Sequence, residues 1–517
     1  MQNPDEHDLG PIDLADGEWR AVTAGEKKVL LSRSGDNLFA VGAECPHAGG
    51  PLIEGARNGS RIVCPWHKAA FCLRTGAMLE PPALDPLPRY PVRSEAGRIF
   101  VATKPVEGPE RLAVNDARTF VIVGGGAAGA VAAQTLREEG FDGAIIVLDR
   151  ENRVPYDRTV LSKYHLSGNE GAEKTPLQSQ RWYRAHRIDR RTADVTGIDM
   201  LARRVRCANG MTFSYDKALI ATGAQPEPLK IPGHALANVF TLRSRADADA
   251  ILAQAEQSKR ATILGTSFIG MEVAAALRER GLNVTVIGKE DVPFEKQLGK
   301  DIGRVLLDLH ESKGVAFRLG AEIAALEGNH AVSGVRLASG ETIASDLVVA
   351  GFGVKPVTDF TESIALRKDG GIPVDETLRV NDDLYAAGDV AAFPYRDDTL
   401  RIEHWRVAQQ HARIAARNML GGDMRVNAPP VFWTIQYMNR LDYIGHAETW
   451  NDLIVHGDLR ERRFLAYYVK DGCVSAATGM DRDADMAALV ELFAMRDWSP
   501  EELGSDPQRM LFSVQAN

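Results

Sequence analysis

Positive charge is in deficit in this 517-residue chain, with 61 Lys and Arg set against 70 Asp and Glu for a formal net charge of -9. A protein that grips nucleic acid or an anionic bilayer needs a basic footprint, so no nucleic-acid or membrane partner is expected. Long apolar runs are missing as well. The longest weakly polar stretch, Thr119 to Leu136, holds four glycines and Gln134, too polar for a membrane span. The start, Met-Gln-Asn-Pro-Asp-Glu-His-Asp, lacks the basic-then-apolar pattern of a secretory signal. Cysteine is scarce: five in all, two of them in short Cys/His motifs, which favours metal chemistry in a reducing compartment over a disulfide framework. Together these absences predict a cytoplasmic enzyme, and the length predicts about three or four domains.

What is present is organised around Thr119 to Asp149. Thr-Phe-Val-Ile-Val-Gly-Gly-Gly-Ala-Ala-Gly leads into an Ala-rich helix and a second apolar strand, Ala144-Ile-Ile-Val-Leu, ending at Asp149. The spacing predicts a dinucleotide cradle: Gly124 makes the turn, Gly126 and Ala128 lie where backbone meets a pyrophosphate, and Gly129 lets helix and sheet pack closely. An acid at position 149 accepts from the ribose hydroxyls of adenosine, a role for which Glu151 competes. The unit then repeats at a constant offset. Thr262-Ile-Leu-Gly265-Thr-Ser267-Phe-Ile-Gly270-Met-Glu272, a helix from Val273 to Arg280 and a strand from Asn283 to Ile287 align Gly265 with Gly124 and Gly270 with Gly129. Two cradles imply two nucleotides. Ser267 replaces the middle glycine and crowds the pyrophosphate approach. Gly288-Lys289 stand where an NAD-preferring enzyme carries an acid, so Lys289 predicts weak or reversed discrimination against NADPH.

Residues 1 to 105 are strand-like, with alternation at Lys28-Val-Leu-Leu-Ser and Arg98-Ile-Phe-Val-Ala. They hold Cys45-Pro-His47 and Cys64-Pro-Trp-His67. Zinc fingers pair like ligands, Cys with Cys and His with His, whereas each pair here is mixed. This pattern resembles the Rieske iron-sulfur domain, which implies a two-iron, two-sulfide cluster held by Cys45, His47, Cys64 and His67. The loop Ala48-Gly-Gly-Pro-Leu-Ile-Glu-Gly lacks the extra cysteine of disulfide-bearing Rieske domains, so Cys72, like Cys473 near the far end, is expected as a buried thiol. Residues 103 to 117 mix Pro, Gly and charge and read as a linker; if flexible, it spans about 20 Å.

Pro155-Tyr-Asp-Arg158-Thr-Val-Leu-Ser162-Lys163 resembles the Pro-Tyr-Asp-Arg-Pro-x-Leu-Ser-Lys run of FAD-dependent ferredoxin reductases, with Thr159 in place of the second proline. That resemblance implies that Arg158 and Lys163 lie along the flavin. Thr222 and Gly223 return the chain past it, and Arg243 follows at the start of the next domain. Gly353 falls in the return crossing at 347–357, and Asp389, in an Ala-x-Gly-Asp motif, binds the ribityl and pyrophosphate region. Trp405 matches a position beside the isoalloxazine, Glu272 positions the nicotinamide, and Lys163 lies near N5.

As a whole the chain is similar to the apoptosis-inducing-factor-like group of FAD-dependent ferredoxin reductases, preceded by a Rieske ferredoxin domain. The expected architecture is an all-β Rieske domain (1–105), a linker (106–117), an FAD domain (118–240 and 354–425) and an NAD(P) domain (241–353), both Rossmann-like, then an α+β C-terminal domain (426–517). The expected activity carries electrons from NADH or NADPH through FAD and the 2Fe-2S cluster to an acceptor protein such as an oxygenase. Disulfide-reductase relatives carry a Cys-x4-Cys pair after the first cradle. This chain has no cysteine between Cys72 and Cys207, so thiol chemistry at the flavin is not expected. Two other functions fit the same resemblance, a redox-sensing interaction protein and an NAD(P)H oxidase; the attached cluster favours electron export.

Overall fold

The computed structural model of the chain describes residues 5–106, 116–168, 176–361 and 363–516. The first hundred residues form three small antiparallel sheets. Strand Lys27–Ser34 shows how its sequence builds the core: Leu30 packs with Val41 and Ile62 on one side, while Val29 and Leu31 pack with Tyr90 and Val101 on the other. Alternation along one strand thus feeds two apolar clusters. The sheet ends at Ala102, and the expected linker falls mainly on residues 107–115, outside the described residues.

Two parallel five-stranded sheets follow. The first runs Ile188–Thr192, Ala144–Asp149, Thr119–Val123, Lys217–Ile220, Leu384–Ala386, so its last strand arrives from far along the chain. Phe120 to Val123 are buried completely, as a parallel strand covered by helices on both faces requires. Helix Ala127–Glu138 packs against helix Trp405–Met419. The second sheet runs Val239–Thr241, Leu347–Ala350, Arg260–Leu264, Asn283–Ile287, Ala316–Arg318. Its helix, Phe268–Glu279, starts five residues before the expected Val273, because Ser267 caps it by accepting from the Gly270 N–H at 3.2 Å.

The C-terminal sheet runs Val431–Gln436, Asn439–Gly445, Cys473–Met480, Arg463–Lys470, Asp452–Asp458, all antiparallel, under helix Asp483–Met495. Strand Asp452–Asp458 and the short helices Pro500–Leu503 and Pro507–Ala516 were not expected. Two thiols are also corrected. Cys473 is exposed because it opens its strand directly after the Asp471-Gly472 turn, and Cys72 is only half-buried. The all-β, α/β, α/β, α+β order matches the expected fold class. Among the described residues no helix is long and apolar enough to cross a membrane.

The first and last regions share a seat. Ala56, Val63 and Ala70 join the apolar cluster of Leu489, Leu492 and Trp498. Around it, Arg61 and Asn58 donate to Glu491 at 2.7 and 2.9 Å, and Gln410 donates to Glu80 at 2.6 Å. Lys68, fully buried, donates to Asp442 at 2.7 Å, and buried Arg406 donates to the carbonyls of Pro81 and Lys68. Burying such an ion pair costs about as much as it returns, while removing one partner strands the other charge, so the pair fixes orientation more than affinity.

Candidate active site between the two halves

A cavity of about 510 Å³ opens at the centre of the reductase half, within the range of roughly 300–1,000 Å³ typical of cofactor sites. Of the residues expected at the nucleotides, Gly124, Gly126, Ala128, Asp149, Glu151, Arg158, Lys163, Thr222, Gly223, Arg243, Glu272, Asp389 and Trp405 line it. Gly129, Gly265, Gly270, Lys289 and Gly353 do not; Gly129 lies behind the first turn, and the other four belong to the second cradle and its return crossing.

The first cradle's glycines divide their work as the spacing predicts. Gly124 has φ +107°, and a Cβ there would lie 2.2 Å from the Ala221 carbonyl oxygen. At Gly129 a Cβ would meet the Gly124 carbonyl oxygen at 1.8 Å, whereas at Gly126 it would meet nothing within 4 Å. The turn is therefore closed underneath and open on the cavity side, a fit for a pyrophosphate at a helix N-terminus. Asp149 sits against Gly125, and its burial raises its pKa. Glu151 is engaged by Arg158 and by the Tyr156 hydroxyl at 2.9 Å. Arg243 reaches Asp389 at 3.0 Å, and the Thr222 hydroxyl donates to the Val357 carbonyl at 2.7 Å.

Lys163 and Glu272, far apart in sequence, form an ion pair at 2.9 Å with side chains only 8% and 4% exposed. Glu272 also accepts from Ser162 at 2.5 Å and Thr434 at 2.6 Å, so the second cradle's helix is bound directly to the loop beside the first. His404 lines the same cavity; burial, with His446 nearby, pushes its pKa down to about 3, and its Nδ1 has no partner. An unpartnered acceptor or donor in a cavity wall suits a heteroaromatic ring bearing both.

In the second cradle Ser267 is a helix cap. Lys289 lies at the surface, 3.7 Å from Glu322. Glu290 stands beside the turn, its Oε2 accepting from the Thr266 hydroxyl at 3.2 Å.

The four expected cluster ligands come together at the seat. The Nδ1 atoms of His47 and His67 lie 3.2 Å apart, and Cys45 and Cys64 are buried beside each other. The hydrogen bond from Cys45 holds the Cys64 thiol below its ordinary range, aided by the N–H groups of Trp66 and His67, against the burial that raises it. Burial holds the His67 ring well below the ordinary imidazole range, leaving a neutral metal ligand. Among the described residues no three His, Cys, Asp or Glu converge on one ion; a cluster in which each iron takes two protein ligands does not ask for three.

The sequence did not single out what lies between cluster and cavity. The His67 ring packs on Trp433, centroids 4.7 Å apart, and Trp433 lines the cavity. His47 Nε2 is 3.9 Å from Asp157, in the loop that precedes Arg158. Burial would raise Asp157, but His47 and the Thr159 hydrogen bond outweigh it and hold the carboxyl below its usual range. Nothing local to Val431-Phe-Trp marks the tryptophan, because its partner His67 is brought near only by the fold.

Two cradles, one shared cavity and a mixed Cys/His site docked on its wall define a flavin-dependent NAD(P)H oxidoreductase with an attached Rieske domain. The chain belongs to the pyridine nucleotide-disulphide oxidoreductase family, which residues 118–412 match; residues 9–91 match the Rieske [2Fe-2S] domain and 431–514 the reductase C-terminal domain. It is 34% identical over 503 residues to human apoptosis-inducing factor 3, covering 93% of this chain and 82% of that protein. It is also 34% identical over 399 residues to the ferredoxin–NAD(+) reductase component of the anthranilate 1,2-dioxygenase system of Burkholderia cepacia, covering 75% and 97%. Among solved structures, the covalent putidaredoxin reductase–putidaredoxin complex superposes with a TM-score of 0.74 at 28% identity, covering 78% of this chain and all of that one. The protein is thus an oxidoreductase that uses NAD(P)H, FAD and a Rieske 2Fe-2S cluster.

Proposed function

We propose that electrons pass from the flavin to the chain's own Rieske cluster while that domain is seated on the reductase, and leave singly for an acceptor protein of the oxygenase type in the cytoplasm. The observation that carries this reading is the His67–Trp433 contact, which joins a cluster ligand to the wall of the flavin cavity with no solvent gap. When bound, FAD supplies the step from a two-electron hydride donor to a one-electron cluster. The chain's residues supply position. Gly124, Gly126 and Ala128 would hold the pyrophosphate, Asp149 the ribose, and Asp389 with Arg243 the ribityl side, leaving Glu151 to fix Arg158. Lys163, Glu272 and Trp405 would frame the ring, with Glu272 orienting the nicotinamide and Lys163 offsetting negative charge. Near-attack placement of this kind is most of what a hydride transfer needs from a protein.

The acceptor class follows from the reductases of oxygenase systems among the relatives, and the compartment from five cysteines of which none is paired in a disulfide. Rapid anaerobic mixing with NADH or NADPH tests the order: flavin absorbance bleaches first and the cluster's mixed His/Cys paramagnetic signal follows, at a rate unchanged on tenfold dilution. Trp433→Ala slows only the second phase. A second phase that weakens with dilution, or cluster reduction in a flavin-free preparation, removes the proposal.

A further inference from the structure

The two cradles match pair for pair at their strand ends. In the first, Val123 pairs with Leu148 and the acid Asp149 follows; in the second, Leu264 pairs with Ile287 and Gly288 follows. The acid's position therefore carries no side chain, and there is no room for one: a Cβ on Gly288 would stand 2.6 Å from Cγ2 of Thr266. Thr266 occupies the place that Gly125 takes in the first turn. Two residues beyond Gly288, Glu290 turns back so that its Oε2 lies 3.2 Å from Oγ1 of that threonine. Asp149 reaches the matching point of the first cradle, since a Cβ on Gly125 would be 2.3 Å from its Oδ2. Both turns are thus flanked by a carboxylate at the residue after the first glycine, delivered from positions two residues apart. Glu290 remains 23% exposed and open to a ligand, and its nearest ion-pair partner is Lys296 at 3.8 Å. Lys289, 77% exposed and facing Glu322, is turned to solvent.

We propose that Glu290 selects the coenzyme, accepting from the ribose hydroxyls of NADH and repelling the 2'-phosphate of NADPH, in place of the acid that Gly288 lacks. This reverses the preference that Gly288-Lys289 suggest from sequence. It rests on the functional reading only in that the second cradle takes the nicotinamide coenzyme. A carboxylate facing a ribose favours a hydroxyl donor and disfavours a second anion.

The full chain is assayed for kcat/KM with NADH and NADPH, using ferricyanide to draw electrons from the flavin so that the ratio is independent of the cluster. Calorimetric titration with NAD+ and NADP+ reads the preference in binding, without turnover. Wild-type protein should favour NADH by about thirtyfold or more, and Glu290→Gln should bring the ratio within about fivefold through a gain with NADPH. Thr266→Val, which removes the hydroxyl that seats Glu290, should narrow it partly, and Lys289→Ala should leave it unchanged. Wild-type preference for NADPH, or an unchanged ratio in Glu290→Gln, overturns the proposal, as does a ratio that moves with Lys289→Ala alone. A cluster that stays oxidised while the coenzyme ratio behaves as stated defeats the electron-flow reading and leaves this one standing.

Discussion

The helix glycines of the two cradles sit under different pressure. A Cβ on Gly129 would lie 1.8 Å from the Gly124 carbonyl oxygen, against 2.9 Å for Gly270 and Gly265. The first turn leaves its middle glycine open to the cavity, whereas the second spends that position on Ser267 as a cap and fills the one before it with Thr266. One repeat is closed tightly beneath a cavity that suits a nucleotide, and the other carries side chains at the positions where the first has bare glycine. On the proposed function, that is the distinction between a resident cofactor and an exchanging substrate, made in two copies of one motif.

The largest effect, loss of the flavin itself, should come from placing the same methyl in both copies. Gly129→Ala should cost about 3 kcal/mol or more and yield protein without flavin, while Gly270→Ala should cost about 1 kcal/mol and keep it; denaturant unfolding and flavin content of the purified protein measure both. Equal costs would mean that the two turns are closed alike.

Next comes the link between the copies. Glu272→Ala leaves the buried Lys163 ammonium without its partner and should cost about 3–5 kcal/mol. Adding Lys163→Met should recover most of it, and a double-mutant cycle with flavin reduction followed in parallel reads the coupling. If the two costs simply add, the pair does not join the cradles.

Acid should weaken both halves together. Burial holds His404 and His411 down to about 3 in the FAD half, and His310 down to about 4 beside the second sheet. Unfolded, these rings take up protons near pH 6.5, so the unfolded chain binds more protons than the folded one between there and pH 3. Their stabilising share is complete above pH 6.5 and is lost as pH falls toward 4, by roughly 3 kcal/mol per site. His310→Gln and His411→Asn should flatten the decline of Tm between pH 6.5 and 4.5; an unchanged slope assigns it to other groups.

The smallest effect rebuilds one copy in the image of the other. Gly288→Asp alone should cost about 1–3 kcal/mol through its clash with Thr266, and Thr266→Gly added to it should restore most of that. Thermal melts of the single and double variants decide it.

What the sequence disclosed and what it withheld divide along range. Gly124, Gly129, Cys45 and His67 were legible because turn geometry and ligation restrict residue type at fixed local spacing. The glycine that cannot bear a Cβ and the cysteine that must reach iron leave marks within a dozen residues. Trp433, Asp442 and Glu290 left none, since each matters through a partner brought near only by the fold: His67, Lys68 and the turn at Thr266. Lys289 was legible as a charge but not as a direction, and the structure turns it outward. Cys473 was misplaced for a related reason. Its strand alternates like a buried one, yet the cysteine is the first residue past a turn, where alternation no longer reports burial.

The seat of the Rieske domain also sets an order of events during synthesis. Lys68 and Asp442 are 374 residues apart, and at the usual 5–20 residues per second the ribosome needs roughly 20–75 s to make the stretch between them. Throughout that interval the N-terminal domain exists without its C-terminal seat, and neither Trp433 nor Asp442 has yet been made to cover His67 and Lys68. The interval is a window in which iron and sulfide can be delivered to an open pair of loops, after which the end of the chain closes over them. A chain stopped at residue 420 should accordingly accept iron and sulfide at least as readily as the full protein, and one that takes up neither would show that the seat must come first.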